Sequence, residues 1–229
     1  MIKNIISLFI LLLFYVTGVN AQTKSELLTI RDSIAKNIDK FLTIKGVELK
    51  PGMRMDDALR IFLDKGWEKH ELFNGFKEET NKYLLTGSFF NTEDCLICIS
   101  PTVNDKNIVS SILISFPKKD SFKDLKKEYD ELKYSLSQKY HLMSCTESFD
   151  NKLIENSNDD QMKLLALSKD EAKFHTRFNA SDTPMASILG YVGINIGHSI
   201  LSGDKKYNVS ICYVTSDSWI EQMTKDDDL

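Results

Sequence analysis

The stretch that decides the fold runs from Ile108 to Tyr140 and reads IVSSILISFPKKDSFKDLKKEYDELKYSLSQKY. Its first part, Ile108–Phe116, is rich in branched apolar residues and predicts a strand, which Pro117 ends. Its second part, Asp120–Tyr140, predicts a long helix, because apolar residues recur at steps of three and four: Phe122, Leu125, Tyr129, Leu132, Leu136 and Tyr140. A helix with one apolar stripe buries that stripe against a sheet. We therefore predict an α+β protein, an antiparallel sheet with helices packed on one face.

Two predicted helices, the long one and an earlier one, carry local sequence signals at their ends. Ser121 with Asp124 resembles a capping box at the start of the long helix. An earlier helix, Met55–Lys65, has its own apolar stripe and is followed by Gly66, the residue type that a left-handed C-terminal cap needs. Trp67 then follows as the residue that folds back onto the helix, and we interpret it as a core anchor, not as a ligand contact.

The segments after the first helix predict an antiparallel meander. Asn74-Gly75 is typical of a hairpin turn, and Gly87 marks a possible bulge in the second of the strands. The four predicted strands are Glu68–Phe73, Lys82–Phe90, Cys95–Ser100 and Ile108–Phe116.

The segments after the long helix predict a second series of strands. A polar loop over Asn151–Asn158 and a short helix over Asp159–Ser168 interrupt them, and we expect Met162, Leu165 and Ala166 to face inward. The four predicted strands are His141–Phe149, Ala172–Asn179, Met185–Ile196 and Tyr207–Thr215.

A faint internal repeat links the two halves. Ile112–Phe116 leads into Asp120-Ser121-Phe122, and Val209–Tyr213 leads into Asp217-Ser218-Trp219, with an offset of 97 residues throughout (217 − 120 = 97). The pattern predicts two tandem units, each a helix followed by four strands. Two unrelated junctions that use the same capping residues are the alternative.

The first 21 residues predict a secretory signal peptide. Lys3 precedes an apolar run from Ile5 to Val16, which is too short to span a bilayer, and Val19-Asn20-Ala21 is typical of a cleavage site after Ala21. The predicted organisation is signal peptide 1–21, lead-in and first strand 22–45, first unit 46–119, second unit 120–215, and C-terminal helix or tail 216–229. We expect an exported protein, periplasmic or extracellular, without a transmembrane segment in the mature chain.

The charge of the chain argues against a nucleic-acid partner. The formal net charge is −4, and it becomes −5 when Lys3 is removed with the signal peptide. Lysines alternate with acidic residues, so they form a solvated surface and not a phosphate-binding stripe.

Several short motifs resemble those of a group of secreted Bacteroidota proteins. They are Gly52-Met53, Gly66-Trp67, Thr86-Gly87-Ser88-Phe89, Asp94-Cys95, Asp120-Ser121-Phe122, Lys139-Tyr140 and Cys145, and the resemblance extends from about Gly46 to Thr215. In layout the group resembles the tandem helix-plus-four-strand repeat of the beta-lactamase-inhibitor protein. The resemblance implies this fold and an exported location, but it implies no activity and no inhibitory residues.

The same resemblance implies a disulfide between Cys95 and Cys145, which would tie the long helix to the sheet. The four cysteines allow three full pairings, and four buried free thiols are the alternative. If Cys95 and Cys145 form the bridge, Cys98 and Cys212 either pair with each other or stay free. Cys95 and Cys98 do not fit a redox site, because such a motif needs a helix N-terminus to lower the thiol pKa. They do not fit a zinc site either, because the sequence has no second pair of ligands at matching spacing.

No catalytic or cofactor motif stands out, so we expect no cofactor and no metal. The histidines, His70, His141, His175 and His198, lack metal-ligand spacing. The glycine-rich run 190–197 lacks the lysine and helix of a phosphate loop, and Asn156–Asp160 lacks the glycine and glutamate of a calcium loop.

These observations favour a non-catalytic module that binds a protein or a small ligand in the cell envelope. The candidate binding loop is the predicted hairpin of Phe73, Asn74, Gly75 and Phe76. An envelope hydrolase whose site is assembled from distant residues is one alternative, and a structural factor of the envelope is another.

Overall fold

A computed structural model describes residues 24–36, 41–182, 186–198 and 207–224. The predicted signal peptide 1–21, Met185 and the tail 225–229 lie outside the described residues. The strand predicted over Met185–Ile196 begins only at Gly190, because residues 186–189 form a 3₁₀ turn.

Eight strands form one antiparallel sheet, and a separate two-stranded hairpin lies beside it, so the α+β prediction is confirmed. The hairpin consists of β1 (Thr43–Ile44) and β2 (Val47–Glu48). The sheet order is β3-β4-β5-β6-β10-β9-β8-β7. Its strands are β3 (Glu68–Lys69), β4 (Tyr83–Phe89), β5 (Thr92–Pro101), β6 (Val109–Ser115), β7 (His141–Phe149), β8 (Ala172–Asn179), β9 (Gly190–His198) and β10 (Tyr207–Thr215).

Seven α-helices occur within the described residues. They are α1 (Lys24–Ala35), α2 (Met55–Asp64), α3 (Phe73–Thr80), α4 (Phe122–Ser137), α5 (Lys152–Glu155), α6 (Asp160–Ser168) and α7 (Ser216–Thr224), with a 3₁₀ turn at Ala186–Leu189. Helices α2 and α4 pack their apolar stripes on one face of the sheet in the main core. Helices α1 and α7 and the 3₁₀ turn share a smaller cluster around Leu27, Ile188, Leu189 and Ile220.

The two four-strand meanders meet through their last strands. Ile112 in β6 lies opposite Tyr213 in β10, and Ile114 lies opposite Ile211. The stretches that predicted a repeat therefore pair with each other. Their junctions differ, however, because Ser121 caps α4 whereas α7 begins at Ser216, before Asp217-Ser218. A true repeat stays a prediction.

The long helix lies across the sheet as its periodicity predicts. Its five apolar residues Phe122, Leu125, Tyr129, Leu132 and Leu136 are buried. The Ser121 hydroxyl accepts from the Asp124 backbone N–H at 3.2 Å, which satisfies a donor at the first turn. The Asp160 carboxylate on α6 accepts from the backbone N–H groups of Phe122 and Lys123, both at 2.9 Å.

The end of α2 confirms the cap that the sequence predicts. Gly66 has a φ of 84°, in the left-handed region that such a cap requires. The Trp67 backbone N–H donates to the Phe62 carbonyl at 3.1 Å, and the two rings meet edge to face with centroids 6.3 Å apart. Trp67 is 2% exposed, so it is a core anchor.

The predicted hairpin at Asn74-Gly75 is wrong. This segment forms α3, and strand β3 ends at Lys69 instead of Phe73. Gly75 does not adopt the positive φ that a type I′ turn requires. Phe73 and Phe76 have the spacing of one helical face, and Phe73 is buried there.

The predicted orientation of α6 and the loop predicted over 151–158 also need correction. Met162 and Leu165 on α6 are 42% and 53% exposed, and Ala166 and Leu167 are the residues that face inward. The predicted polar loop 151–158 contains the short helix α5, which Asn151 caps by accepting from the Leu153 backbone N–H.

The Cys95–Cys145 disulfide is not formed, and all four cysteines are free. Cys95 lies on β5 and Cys145 on β7, and four strands separate these two in the sheet. Five strand spacings amount to about 24 Å, far beyond the ~7 Å limit between the Cα atoms of a disulfide. The resemblance therefore implied a bridge that the sheet order forbids.

Candidate functional site

The face of the sheet opposite the main core carries most of its polar side chains. Cross-strand pairing places them in rows, because directly paired residues point to the same side. The first row is Thr86, Leu96, Ser115, Ser210, Asn195 and His175. The second is Leu84, Cys98, Leu113, Cys212, Gly193 and Arg177. The third is Ser100, Ser111, Val214 and Tyr191. We call these three rows the polar face.

The polar face has a basic end. Two basic side chains, His175 and Arg177, lie at one end of its rows, and the carboxylate that strand pairing adds to the first row, Glu68 of β3 opposite Thr86, lies at the other end. Both lie on β8, and Tyr191 lies beside them on β9. The three side chains are half-buried, so they are held in place but still reach solvent.

Arg177 is fixed by its neighbours without being neutralised. Its Nε donates to His175 Nε2 at 3.2 Å, and its guanidinium carbon lies 5.1 Å from the centre of the Tyr191 ring. None of the ion pairs between described residues includes Arg177. A planar guanidinium in this state presents its terminal N–H donors in a geometry that suits a carboxylate.

The same contacts determine the protonation of His175. Burial, and then the positive charge of Arg177, lower the pKa of the imidazole from its usual value. Because Nε2 accepts a hydrogen bond from Arg177, the proton of the neutral ring is on Nδ1. Gly193 leaves the space beside the ring open, since a Cβ there would lie 3.5 Å from Nε2.

An unsatisfied hydroxyl lies in the middle of the first row. Ser115 is 2% exposed, and its Oγ has no hydrogen-bond partner among the described residues. On the next strand, Ser210 Oγ donates to Asn195 Oδ1 at 2.9 Å. A buried hydroxyl without a partner costs about 1–3 kcal/mol, so this position lowers the stability of the fold.

The thiols of the polar face are poor nucleophiles. Burial raises the pKa of the Cys212 thiol to about 11 and also raises the pKa of the Cys98 thiol. Cys98 and Cys212 lie on β5 and β10, with Leu113 of β6 between them, and do not pair. The group in contact with His175 is Arg177, not a carboxylate that would orient it as a base.

The candidate binding loop lies elsewhere, on α3. Phe73 is 4% exposed and stacks on Tyr83 with ring centroids 5.6 Å apart, so it is a core residue. Phe76 is half-buried, while Asn74 and Gly75 are exposed on the outer side of the helix. The paired aromatic anchors that the sequence predicted are therefore not presented together.

A second polar cluster ties α4 to β7. Lys133 Nζ donates to Glu147 and lies 3.3 Å from Cys145 Sγ, and Lys126 Nζ lies 3.3 Å from Glu147 Oε2. Burial would raise the pKa of Glu147, but the hydrogen bonds from Lys133 and Cys145 outweigh it and lower that pKa. Each charge has a partner inside the cluster, which is typical of a structural link.

Sequence reasoning missed the residues of the polar face. The alternation of β8 and β9 shows that His175, Arg177 and Tyr191 share a side of their strands, but only the pairing of β8 with β9 brings them into contact. Among the described residues, no group of histidine, cysteine or carboxylate side chains is arranged to hold a metal ion. No helix in the described part of the chain is long and apolar enough to cross a membrane.

No family model, curated protein or solved structure matches the chain. The resemblance to the secreted Bacteroidota group and to the layout of the beta-lactamase-inhibitor protein stays a prediction.

Proposed function

We propose that the protein is an exported, non-catalytic binding module whose polar face holds a protein segment through a carboxylate. The observation that carries the proposal is Arg177, a guanidinium that His175 and Tyr191 hold in place and that no acidic side chain among the described residues neutralises. Export rests on the pattern of residues 1–21.

The charge of the polar face selects the chemistry of the partner. An arginine without a counter-ion in the described part of the chain, with Glu68 six strand spacings away at the other end of the sheet, attracts an acidic group. Its two terminal nitrogens match the two oxygens of a carboxylate. Tyr191 supplies an aromatic surface next to this contact, and tyrosine and arginine are among the residue types that most often dominate binding energy at interfaces.

The extent of the polar face favours a protein over a small ligand. The first two rows span six strands, about 24 Å, the third row spans four strands, and the three rows extend about 14 Å along the strands. This open surface of roughly 340 Å² is about half of what one partner contributes to a small protein interface, so it would form the centre of a larger contact, whereas small ligands bind in enclosed clefts.

The test uses the full chain in its own cells, with a photo-reactive amino acid introduced at Asn195. The matched site is Tyr134, which is 67% exposed on α4. We expect a cross-linked protein from position 195 and not from position 134. Arg177→Ala should abolish that cross-link, and Arg60→Ala, which removes an exposed arginine paired with Asp57, should leave it unchanged.

The partner itself completes the test. Neutralising the acidic residues in its cross-linked segment should weaken binding of the purified partner to the purified module. Equal cross-linking from positions 195 and 134, or an Arg177→Ala variant that folds and still binds, would overturn the proposal. The thermal unfolding temperature of Arg177→Ala separates a lost contact from a lost fold.

A further inference from the structure

We infer that a cavity at the C-terminal end of α4, on the helix side of the sheet, binds a small organic carboxylate with a ring-sized apolar body. The cavity has a volume of about 140 Å³ and lies between the β1–β2 hairpin, the turn that joins β4 to β5, and the end of α4. It shares no residue with the polar face.

The volume defines the size of the apolar group. An engineered protein cavity of about 150 Å³ lined by apolar side chains holds one benzene molecule. The 140 Å³ cavity is therefore large enough for one six-membered ring or for a short branched chain.

The floor of the cavity is apolar and rigid. Phe89, Leu136 and Tyr213 line it and are 4%, 1% and 2% exposed. Tyr140 forms a fixed wall, because its hydroxyl donates to the Thr43 carbonyl at 3.0 Å and accepts from the Thr43 backbone N–H at 3.1 Å. A ligand ring that enters this space loses contact with water without requiring the protein to rearrange.

An unusual turn holds one further wall in place. Phe90 and Asn91 form the two-residue turn between β4 and β5, with φ angles of 47° and 62°. The left-handed region is unfavourable for a bulky residue, and turns of this kind usually contain asparagine or glycine. The Phe90 ring packs edge to face on Phe89, with centroids 4.8 Å apart, and lines the cavity.

Two ammonium groups give the cavity its charge preference. Lys45 and Lys139 line it, both are exposed, and neither takes part in an ion pair between described residues. Lys45 Nζ lies 5.0 Å from the centre of the Trp67 ring, and Lys139 Nζ lies 5.5 Å from that of Phe90. Both charges are thus held beside aromatic rings, where a carboxylate can pair with them while its ring occupies the floor.

An adjoining cavity leaves room for a substituent. It has a volume of about 300 Å³ and shares Thr43, Lys139 and Tyr140 with the first. Glu48, which lies opposite Thr43 in the β1–β2 hairpin, also lines it and would repel a second negative charge on the ligand. The combined site therefore favours a monocarboxylate with a neutral tail over a dicarboxylate.

The test titrates the full chain with sodium benzoate, with benzamide as the neutral probe of the same shape, and follows backbone amide shifts by NMR. We expect saturable shifts at Phe90 and Tyr140, and weaker binding of benzamide. Replacing either lysine by methionine keeps the side-chain stem and removes the charge, so each of Lys45→Met and Lys139→Met should weaken benzoate binding roughly two- to five-fold.

Matched variants make the outcome decisive. Lys127→Met removes an exposed lysine on the middle of α4 and should leave benzoate affinity unchanged. Arg177→Ala, at the polar face, should leave the benzoate-induced shifts at Phe90 and Tyr140 unchanged, so this inference and the proposed function fail independently. Absence of saturable shifts, equal binding of benzamide, or full affinity in a folded Lys45→Met/Lys139→Met double variant would overturn the inference.

Discussion

Replacing Gly87 by alanine tests the packing on which the helix side of the sheet depends. A Cβ at Gly87 would lie 2.8 Å from both Cδ2 and Cε3 of Trp67 and 3.2 Å from its Cγ. Non-bonded carbons prefer about 3.5–4.0 Å, so the indole has to move by roughly 0.7 Å or more. Trp67 is 2% exposed and packs on Phe62, which leaves little room for that movement. Overpacking of this kind costs about 1–3 kcal/mol, and we expect Gly87→Ala to destabilise the protein by that amount.

The same substitution at Gly75 provides the control. Gly75 lies inside α3 and is exposed. Apart from its chain neighbours and the backbone of its own helix, no heavy atom lies within 4 Å of the position that a Cβ would take there. Alanine is a better helix former than glycine by about 0.5–1 kcal/mol, so Gly75→Ala should stabilise the protein. One added methyl group thus has opposite effects at the two sites.

Urea unfolding followed by circular dichroism measures both effects. The midpoints should move in opposite directions while the slope with denaturant stays the same. In a Trp67→Leu background the clash is absent, so Gly87→Ala should cost less there, and the double-mutant cycle should give a clear coupling energy. A Gly87→Ala variant as stable as Gly75→Ala would refute the placement of the indole over Gly87.

Three further predictions concern the reactivity of the thiols, the stability at acid pH and the N-terminal cap of α4. Cys145 is exposed and should react first with a thiol reagent, whereas Cys95, which is 0% exposed, should react only on unfolding; a peptide that links the two under non-reducing conditions would contradict this. Because the folded-state pKa of Glu147 is lowered, its contribution to stability is present above the unfolded pKa of ~4.3 and is lost as the pH falls through the folded pKa. The difference in free energy of unfolding between the unmodified chain and Glu147→Gln should therefore disappear at acid pH in an unfolding titration. A difference that does not depend on pH would argue against the Lys133 contact. Ser121→Ala should cost about 1 kcal/mol in the same assay, with Ser121→Asp as the variant that retains the cap.

Local sequence patterns predicted most of the elements of this fold. The periodicity of 120–140 predicted α4, and the alternation of 207–215 predicted β10 with the bounds that the structure shows. The pattern failed at Asn74-Gly75, because a turn signal of two residues competes there with a helical face formed by Phe73 and Phe76. Tertiary packing of an amphipathic face supplies most of the stability of a helix as short as α3. A local turn signal therefore does not determine whether this segment forms a helix or a hairpin.

The candidate sites depended on contacts that no local pattern contains. The polar face requires β8 to pair with β9, so that Arg177 reaches both His175 and Tyr191. The carboxylate cavity combines Lys45 with Lys139, which are 94 positions apart in the chain (139 − 45 = 94). Residue types at such separations carry no signal until the elements between them are placed.

The sequence by itself determined most of the helices and strands, although not α3 or α5, because hydrophobic periodicity and capping residues act over one or two turns of the chain. Only the tertiary structure decided that β6 pairs with β10, which orders the eight strands and sets Cys95 and Cys145 five strand spacings apart. Many strands have similar apolar faces and could pair with one another, and the packing of the whole core determines which of them do. The same choice determined which polar side chains meet on the opposite face.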